Sequence, residues 1–393
     1  MTLIAGVGMV PFKKPGASAT YIEMGCEAAR AALQDACVSY DSVQQAIVGY
    51  VYGDSTSGQA AMYRVGMTGI PIVNVNNNCS TGSSALFIAR QLIESGVADC
   101  ILVLGFEQMT SGALQSYWND RPNPMVRFED TADRLFPGSR DVPSAIRLFG
   151  GAGKAYLEKF DANAALFAKV RAKASKHASM NPLAVFRQIM TEEEVMMAPE
   201  ICPGAGLTRL MACPPTCGAA AALLVSEDFA QKNGIKPAVT IRAQAMTTDT
   251  ASTFESGSMM DLVGYSMSRA AAQQVYESAG IGPDAVDVCE LHDCFAPNEV
   301  LAYEALGLCA EGDASRFVSD GDNTYGGRCV TNPSGGLLSK GHPLGATGLA
   351  QCYELVQQLR GSAEQRQVAN ARLALQHNIG LGGAAVVTLY ERV

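Results

Sequence analysis

Several shortages in the 393-residue sequence narrow what the chain can be. It has no excess of positive charge: 29 Lys and Arg stand against 38 Asp and Glu, a formal net charge of −9. No basic stripe is present to neutralise a phosphate backbone, which excludes a nucleic-acid binder. A single polyanionic ligand remains compatible, because a few local cations and helix N-termini can hold phosphates. No run approaches the roughly 18 consecutive apolar residues that a membrane span needs. The stretch Met1–Val10 lacks the basic flank and long apolar segment of a secretory signal. Glu391-Arg392-Val393 is not the Ser-Lys-Leu type of peroxisomal address. The expectation is a soluble, cytoplasmic protein, with peroxisomal or mitochondrial import by another route left open. Cysteine is also sparse: 12 in so long a chain do not make a disulfide scaffold, and none forms a Cys-x-x-Cys pair. Cys202, Cys213 and Cys217 have no histidine near enough for a familiar zinc pattern, so no metal is expected. Most cysteines should be reduced, buried and inert. Histidine is scarcer still, with four in the chain.

What is present is apolar sequence, 48% of residues against 17% charged, in a chain long enough for roughly two to three packed units. Leu3–Val10, Gln45–Tyr52, Pro71–Asn77 and Cys100–Phe106 read as strands. Tyr21–Cys37 and Thr81–Glu94 carry helical periodicity. Short apolar runs separated by helices are the mark of βαβ units around a mostly parallel sheet. The order then repeats. A helix at Ala270–Ala279 leads through Pro283-Asp284-Ala285-Val286 into Val288–Leu291, as Tyr40-Asp41-Ser42-Val43 leads into Ala46–Val48. Leu344–Leu359 is a second helix, Leu373–Gln376 begins a strand, Gly380–Gly383 is a turn, and Ala384–Tyr390 is a last strand. Two similar α/β halves are expected. Between them, Thr110–Leu210 reads as a partly helical insertion over the sheet, where substrate loops usually sit.

Three motifs carry chemistry. Asn76-Asn77-Asn78-Cys79-Ser80-Thr81-Gly82 places a cysteine where a polar turn meets a helix. Free N–H groups and the helix dipole there favour a thiolate, although a packed small residue is the competing reading. Gly341-His342-Pro343-Leu344-Gly345-Ala346-Thr347-Gly348 opens the corresponding helix of the second half. It is not a Walker A loop, because Lys340 precedes the glycines. An approximate twofold between the halves would bring both helix starts together and pair Cys79 with His342. His292-Asp293-Cys294-Phe295 follows an apolar strand, at the end where α/β folds place reacting groups. His377 has a similar strand-end position. His177, beside the Lys-rich stretch 173–176, reads as a solvated surface residue.

Together these motifs resemble the thiolase superfamily, most closely its sterol-carrier-protein type, over essentially the whole chain. Gly49-Tyr50-Val51-Tyr52-Gly53-Asp54-Ser55-Thr56, Gly321-Asp322-Asn323-Thr324-Tyr325-Gly326-Gly327 and Gln376-His377-Asn378-Ile379-Gly380 extend the match. The resemblance implies an α/β thiolase-like fold, two duplicated βαβαβ-type halves in a layered α/β/α/β/α core with an inserted loop domain. The halves are set at residues 1–235, including the insertion over 110–210, and 236–393, with no lipid-carrier domain after the last strand. It also implies an acyltransferase acting on acyl-CoA substrates, with coenzyme A as co-substrate, no permanently bound cofactor, and a homodimeric or homotetrameric state. By resemblance Cys79 is the acylated nucleophile and His342 activates it. Ordinary thiolases have Asn where His292 stands and draw their acid/base cysteine from a C-terminal Cys-x-Gly. Here that stretch is Asn378-Ile379-Gly380, so the role passes to Cys294. His342 and His292 would hydrogen-bond the thioester oxygen, and the N–H groups of Cys79 and Gly380 would form a second oxyanion hole. Asn332, Ser334 and Gly335 are expected to bind substrate.

Other functions fit less well. A ketoacyl synthase shares a Cys/His/His set, but the placement of Cys294 favours a degradative thiolase. A thiolase-like aldolase lacks the nucleophilic cysteine that is present here. A non-catalytic acyl-CoA- or lipid-binding protein would bind without turnover and leaves four reactive side chains unexplained. Acyl chain length, branching and direction of flux have no signature in the sequence.

Overall fold

The computed structural model describes residues 1–112, 114 and 116–393. Its strands in chain order are β1 (Thr2–Met9), β2 (Gln45–Gly49), β3 (Ile72–Val75), β4 (Cys100–Glu107), β5 (Glu200–Cys202) and β6 (Leu207–Thr208). They continue with β7 (Gly218–Ser226), β8 (Val239–Thr247), β9 (Val288–Glu290), β10 (Val330–Thr331), β11 (Leu373–Gly380) and β12 (Ala384–Arg392). β5 and β6 pair only with each other, and the other ten form one sheet in the order β10-β9-β11-β12-β8-β1-β7-β4-β2-β3.

That order is an internal repeat. Outward from the centre the first half runs β1-β7-β4-β2-β3 and the second β8-β12-β11-β9-β10. In each half two antiparallel pairings are followed by two parallel ones. β1 and β8 meet antiparallel at Leu3–Thr240 and Ile4–Val239, which joins the halves about an approximate twofold.

The helix Thr81–Glu94 and its counterpart Thr347–Arg360 pack on each other and on strands of both halves. Tyr21–Asp35 covers the outer side of β1, β7 and β4, while Tyr265–Ala279 covers β8 and β12. The result is the α/β/α/β/α layering. Ile101 and Val103 of β4 belong to the inner core with Ile4, Ile241 and Leu349, whereas Leu102 and Leu104 belong to the outer core with Ala28 and Ala32. Alternate residues face opposite layers, and both layers are apolar, so the strand reads as an unbroken hydrophobic run. Thr20 and Glu23 close a capping box on the Tyr21–Asp35 helix, which sets where it starts.

Some details differ from the sequence reading, including the helix expected over Leu344–Leu359, which runs Thr347–Arg360. The second-half outer helix starts at Tyr265, five residues early, on Gly264 in the left-handed region. β11 continues past Gln376 to Gly380, so His377 and Asn378 are strand residues. The insertion holds helices Val126–Leu135, Ser144–Phe160, Ala165–Ser179 and Glu192–Met197. It packs on the second half: Leu148, Phe149, Tyr156 and Phe167 share one core with Val275, Val300, Leu301 and Leu389. Its two long helices, Ser144–Phe160 and Ala165–Ser179, both pack against the second-half helix Ala296–Ala305.

Candidate active site

Cys79 ends a turn two residues before the Thr81–Glu94 helix, with Asn78 in the left-handed region at φ 50°. Hydroxyls shape the turn: Ser80 Oγ donates to Asn77 O at 2.9 Å and Thr81 Oγ1 to Asn78 O at 2.6 Å. The other half holds it from across the twofold. Asn78 Nδ2 donates to Leu381 O at 3.1 Å, and a Cβ on Gly380 would lie 2.1 Å from Asn77 O. Only glycine allows that backbone approach. His342 occupies the matching turn before the Thr347–Arg360 helix, and His292 lies just past the end of β9. Cys79 Sγ and one ring nitrogen from each of His292 and His342 lie within 4.8 Å of one another. The two imidazoles meet edge to face with centroids 5.2 Å apart.

The hydrogen bonds behind the rings give them opposite roles. Thr347 Oγ1 donates to Pro343 O at 2.9 Å and accepts from His342 Nδ1–H at 2.6 Å. The lone pair of His342 is then on Nε2, which is buried and has no partner. Asn378 Nδ2 donates to His292 Nδ1 at 2.9 Å. The proton of that ring is on Nε2, which faces the cluster as a donor. His377 backs the arrangement by accepting from the His292 N–H at 3.5 Å, its other nitrogen meeting Ser268 Oγ at 2.9 Å.

Cys294 is buried beside Cys79 and Cys213, and Cys213 N donates to Cys294 O at 2.8 Å. Asp293 pins this loop by accepting from Leu337 N at 2.7 Å and Leu338 N at 3.4 Å. Burial pushes the Asp293 carboxyl up to about 8, and the neighbouring Glu299 adds to the rise.

Burial also decides the protonation of the cluster, against the expectation for Cys79. The dipole of a helix start favours a thiolate, yet the thiol is pushed up to about 12, first by desolvation and then by the Glu107 carboxyl. His342 is pushed down to about 3 by burial and then by Lys340. His292 goes well below the usual imidazole range through burial, with His342 and His377 adding. At rest the site is a neutral thiol beside two neutral imidazoles.

Asn332, Ser334 and Gly335 lie in the wall behind the cluster. Ser334 donates its N–H and hydroxyl to Glu290 at 3.0 and 2.7 Å, and Asn332 Oδ1 accepts from Leu291 N at 2.8 Å. A Cβ on Gly335 would lie 2.4 Å from that of Ala178. Ser334 and Gly335 support β9 and the insertion through these contacts, whereas the Nδ2 of Asn332 is buried without a hydrogen-bond partner. His177 corrects the sequence reading. It is fully buried, its Nδ1 3.0 Å from Asn332 O and its Nε2 2.8 Å from Thr324 Oγ1. The Ala165–Ser179 helix turns it inward while its lysines flank it. Cys202, Cys213 and Cys217 go to separate places, with Cys217 Sγ donating to Met109 O at 3.4 Å.

Glu107 was missed by the sequence reading. It accepts from Val51 N at 3.0 Å, Tyr52 N at 2.9 Å and Gly345 N at 3.0 Å. Its signal was a lone carboxylate ending an otherwise apolar strand. Thr347, Ser83 and Asn378 were missed as positioning groups because their partners come from distant segments. A surface groove of about 550 Å³ bordered by Tyr265, Arg269, Tyr276 and Glu311 contains none of the clustered residues.

Family comparison agrees with the layout. The model described as thiolase, N-terminal domain, matches residues 2–195, and that described as thiolase C-terminal domain-like matches residues 248–392. The chain is 53% identical to sterol carrier protein 2 of Rattus norvegicus over 99% of its own length and 71% of that protein's. It is 32% identical to benzoylsuccinyl-CoA thiolase subunit BbsB of Thauera aromatica, covering 99% and 97% of the two chains. Among solved structures the Ltp2-ChsH2(DUF35) aldolase superposes with a TM-score of 0.82 at 22% identity, over 100% of this chain and 97% of that one, a likeness of fold alone.

Proposed function

The chain belongs to the thiolase family, and on that premise we propose that it is an acyl-CoA thiolase cleaving 3-oxoacyl-CoA with coenzyme A. One observation carries the reading: the unpartnered Nε2 of His342 is the nitrogen available to the Cys79 thiol, beside a second histidine that presents a donor. In this reading His342 Nε2 takes the Cys79 proton as sulfur attacks the 3-keto carbon. The C2–C3 bond then breaks, and its electrons form the enolate of acetyl- or propionyl-CoA. Cys294 donates its proton to that carbanion. His292 Nε2–H stabilises the enolate oxygen as charge grows on it, in a site too dry for water to compete. The Cys294 thiolate next takes the proton of incoming coenzyme A, whose sulfur displaces Cys79 from the acyl group, and His342 returns the proton to Cys79.

Raised thiols suit this sequence. Burial pushes Cys294 well above the usual thiol range, so at rest it holds the proton that the carbanion needs. Coenzyme A is read as co-substrate, with no resident cofactor, and the assembly as a homodimer or homotetramer. No helix among the described residues is long and apolar enough to cross a membrane.

A retro-aldol reading would rest on a likeness of fold alone, the superposition on an aldolase structure. Cys79 and Cys294 weigh against it, since retro-aldol cleavage needs neither an acyl acceptor on sulfur nor a thiol substrate. The test is thiolysis of acetoacetyl-CoA and 3-oxooctanoyl-CoA by wild type, Cys79→Ala and Cys294→Ala. Cleavage that requires coenzyme A and is lost in both variants supports the thiolase. Binding of the esters without cleavage at any chain length removes it.

A further inference from the structure

A file of hydrogen bonds with one permitted direction ends on His292. It begins at the backbone carbonyl of Gly348, which can only accept, so the Gln376 atom 2.7 Å away is Nε2. Gln376 Oε1 then meets the Tyr390 hydroxyl at 2.5 Å. The second hydrogen of Nε2 goes to Ser83 Oγ at 2.8 Å. Ser83 is fully buried and donates its own hydrogen to Asn378 Oδ1 at 2.8 Å. That orients the amide, and Asn378 Nδ2 donates to His292 Nδ1 at 2.9 Å. Reversing the amide would aim two donors at Ser83 Oγ and strand its hydroxyl hydrogen in a dry interior, a cost few buried groups tolerate.

We infer that Asn378, held by Ser83 and Gln376, sets the tautomer of His292, keeping its Nε2–H a donor and so denying Cys79, His292 and His342 to divalent transition metals. Those three side chains have the donor types and the closeness of a zinc tripod. A metal needs the lone pair of His292 on Nε2, with Nδ1–H donating to an oxygen behind the ring. Here the group behind the ring is itself a donor, the opposite polarity. One amide therefore does two things: it keeps His292 Nε2–H as an oxyanion donor, and it leaves the nucleophile free of metal.

Asn378→Asp is the direct test, because aspartate keeps the shape, accepts the Ser83 hydroxyl and demands a hydrogen on His292 Nδ1. With four histidines in the chain, 15N-histidine NMR can assign each ring. Wild type should show His292 protonated at Nε2 and bare at Nδ1, and the variant should show the hydrogen moved to Nδ1. Under reducing conditions Co²⁺ alone should bind the variant about 10–100-fold more tightly than wild type. Binding should give a thiolate-to-cobalt absorption that Cys79→Ala removes. The kinetic arm rests on the thiolase reading: kcat should fall about 10²–10³-fold, as for the loss of one oxyanion donor, with KM little changed. A wild-type His292 protonated at Nδ1, or equal Co²⁺ affinity in the two proteins, overturns the inference whether or not the protein turns over 3-oxoacyl-CoA. Should the aspartate variant not fold, the wild-type spectrum decides alone, and Ser83→Ala, which frees the amide to reverse, should give a mixture of His292 tautomers.

Discussion

Glu107 accepts the Gly345 N–H at 3.0 Å, so the end of a first-half strand holds the turn that carries His342. The same carboxylate takes the Val51 and Tyr52 N–H groups from the loop after β2. Burial, opposed by those three N–H groups, pushes this carboxyl up to about 7. A raised acid binds its proton more tightly folded than unfolded. Its ionisation therefore costs stability as pH rises from about 4.5 through 7, by up to about 3 kcal/mol. Glu107→Gln lacks that cost but cannot accept from both sides. The variant should lose activity at every pH, while its melting temperature relative to wild type rises between pH 5 and pH 8. A constant difference across that range would show that Glu107 does not titrate there.

Buried histidines should work against the fold in acid. His177, His342 and His377 are each pushed down to about 3, mainly by burial. The unfolded chain takes up protons near pH 6.5 that the folded one refuses, so stability is lost as pH falls below that point. Each such histidine contributes about 1.4 kcal/mol per pH unit. Because raised acids such as Glu107 and Asp293 act in the opposite direction, the readout is the difference between proteins: from pH 7 to pH 4.5 the denaturant midpoint of His177→Gln should rise relative to wild type. A constant difference would mean that the His177 ring can ionise in place.

Gly380→Ala should separate activity from folding. The added Cβ would lie 2.1 Å from Asn77 O and 2.7 Å from Ser80 Oγ, and the least costly relief is a shift of the Cys79 turn. A displacement near 1 Å at a nucleophile costs on the order of 10²-fold in rate. Thiolysis should drop by at least that factor with the circular dichroism spectrum unchanged. Wild-type activity would show that the turn can move without consequence.

Alkylation of Cys79 should follow burial rather than the helix dipole. With the thiol pushed up to about 12, its rate with iodoacetamide, followed by peptide mass spectrometry, should keep rising from pH 7 to pH 10. A plateau near pH 7 would mean that the dipole wins and the resting enzyme holds a thiolate.

Much of the architecture was legible because it rests on local pattern. The fully apolar β4 run and the matching Tyr40–Val43 and Pro283–Val286 segments lie within a few residues of what they specify. Cys79, His292, Cys294 and His342 were singled out as candidates the same way, each marked by an unusual residue in a glycine-rich or strand-end turn. His177 misled because local composition cannot tell which side of a lysine-rich helix meets a packed insertion.

The sequence by itself determined the strands, the helices, their repetition and the residue types able to do thiol chemistry, since periodicity and turn residues act over short range. Only the tertiary structure decided the protonation of Cys79, the direction of the amide chain behind His292 and the grip of Glu107 on Gly345. Those depend on desolvation and on hydrogen-bond partners as much as 295 positions apart, as for Ser83 and Asn378. Burial and partner geometry exist only once the two halves have closed on each other.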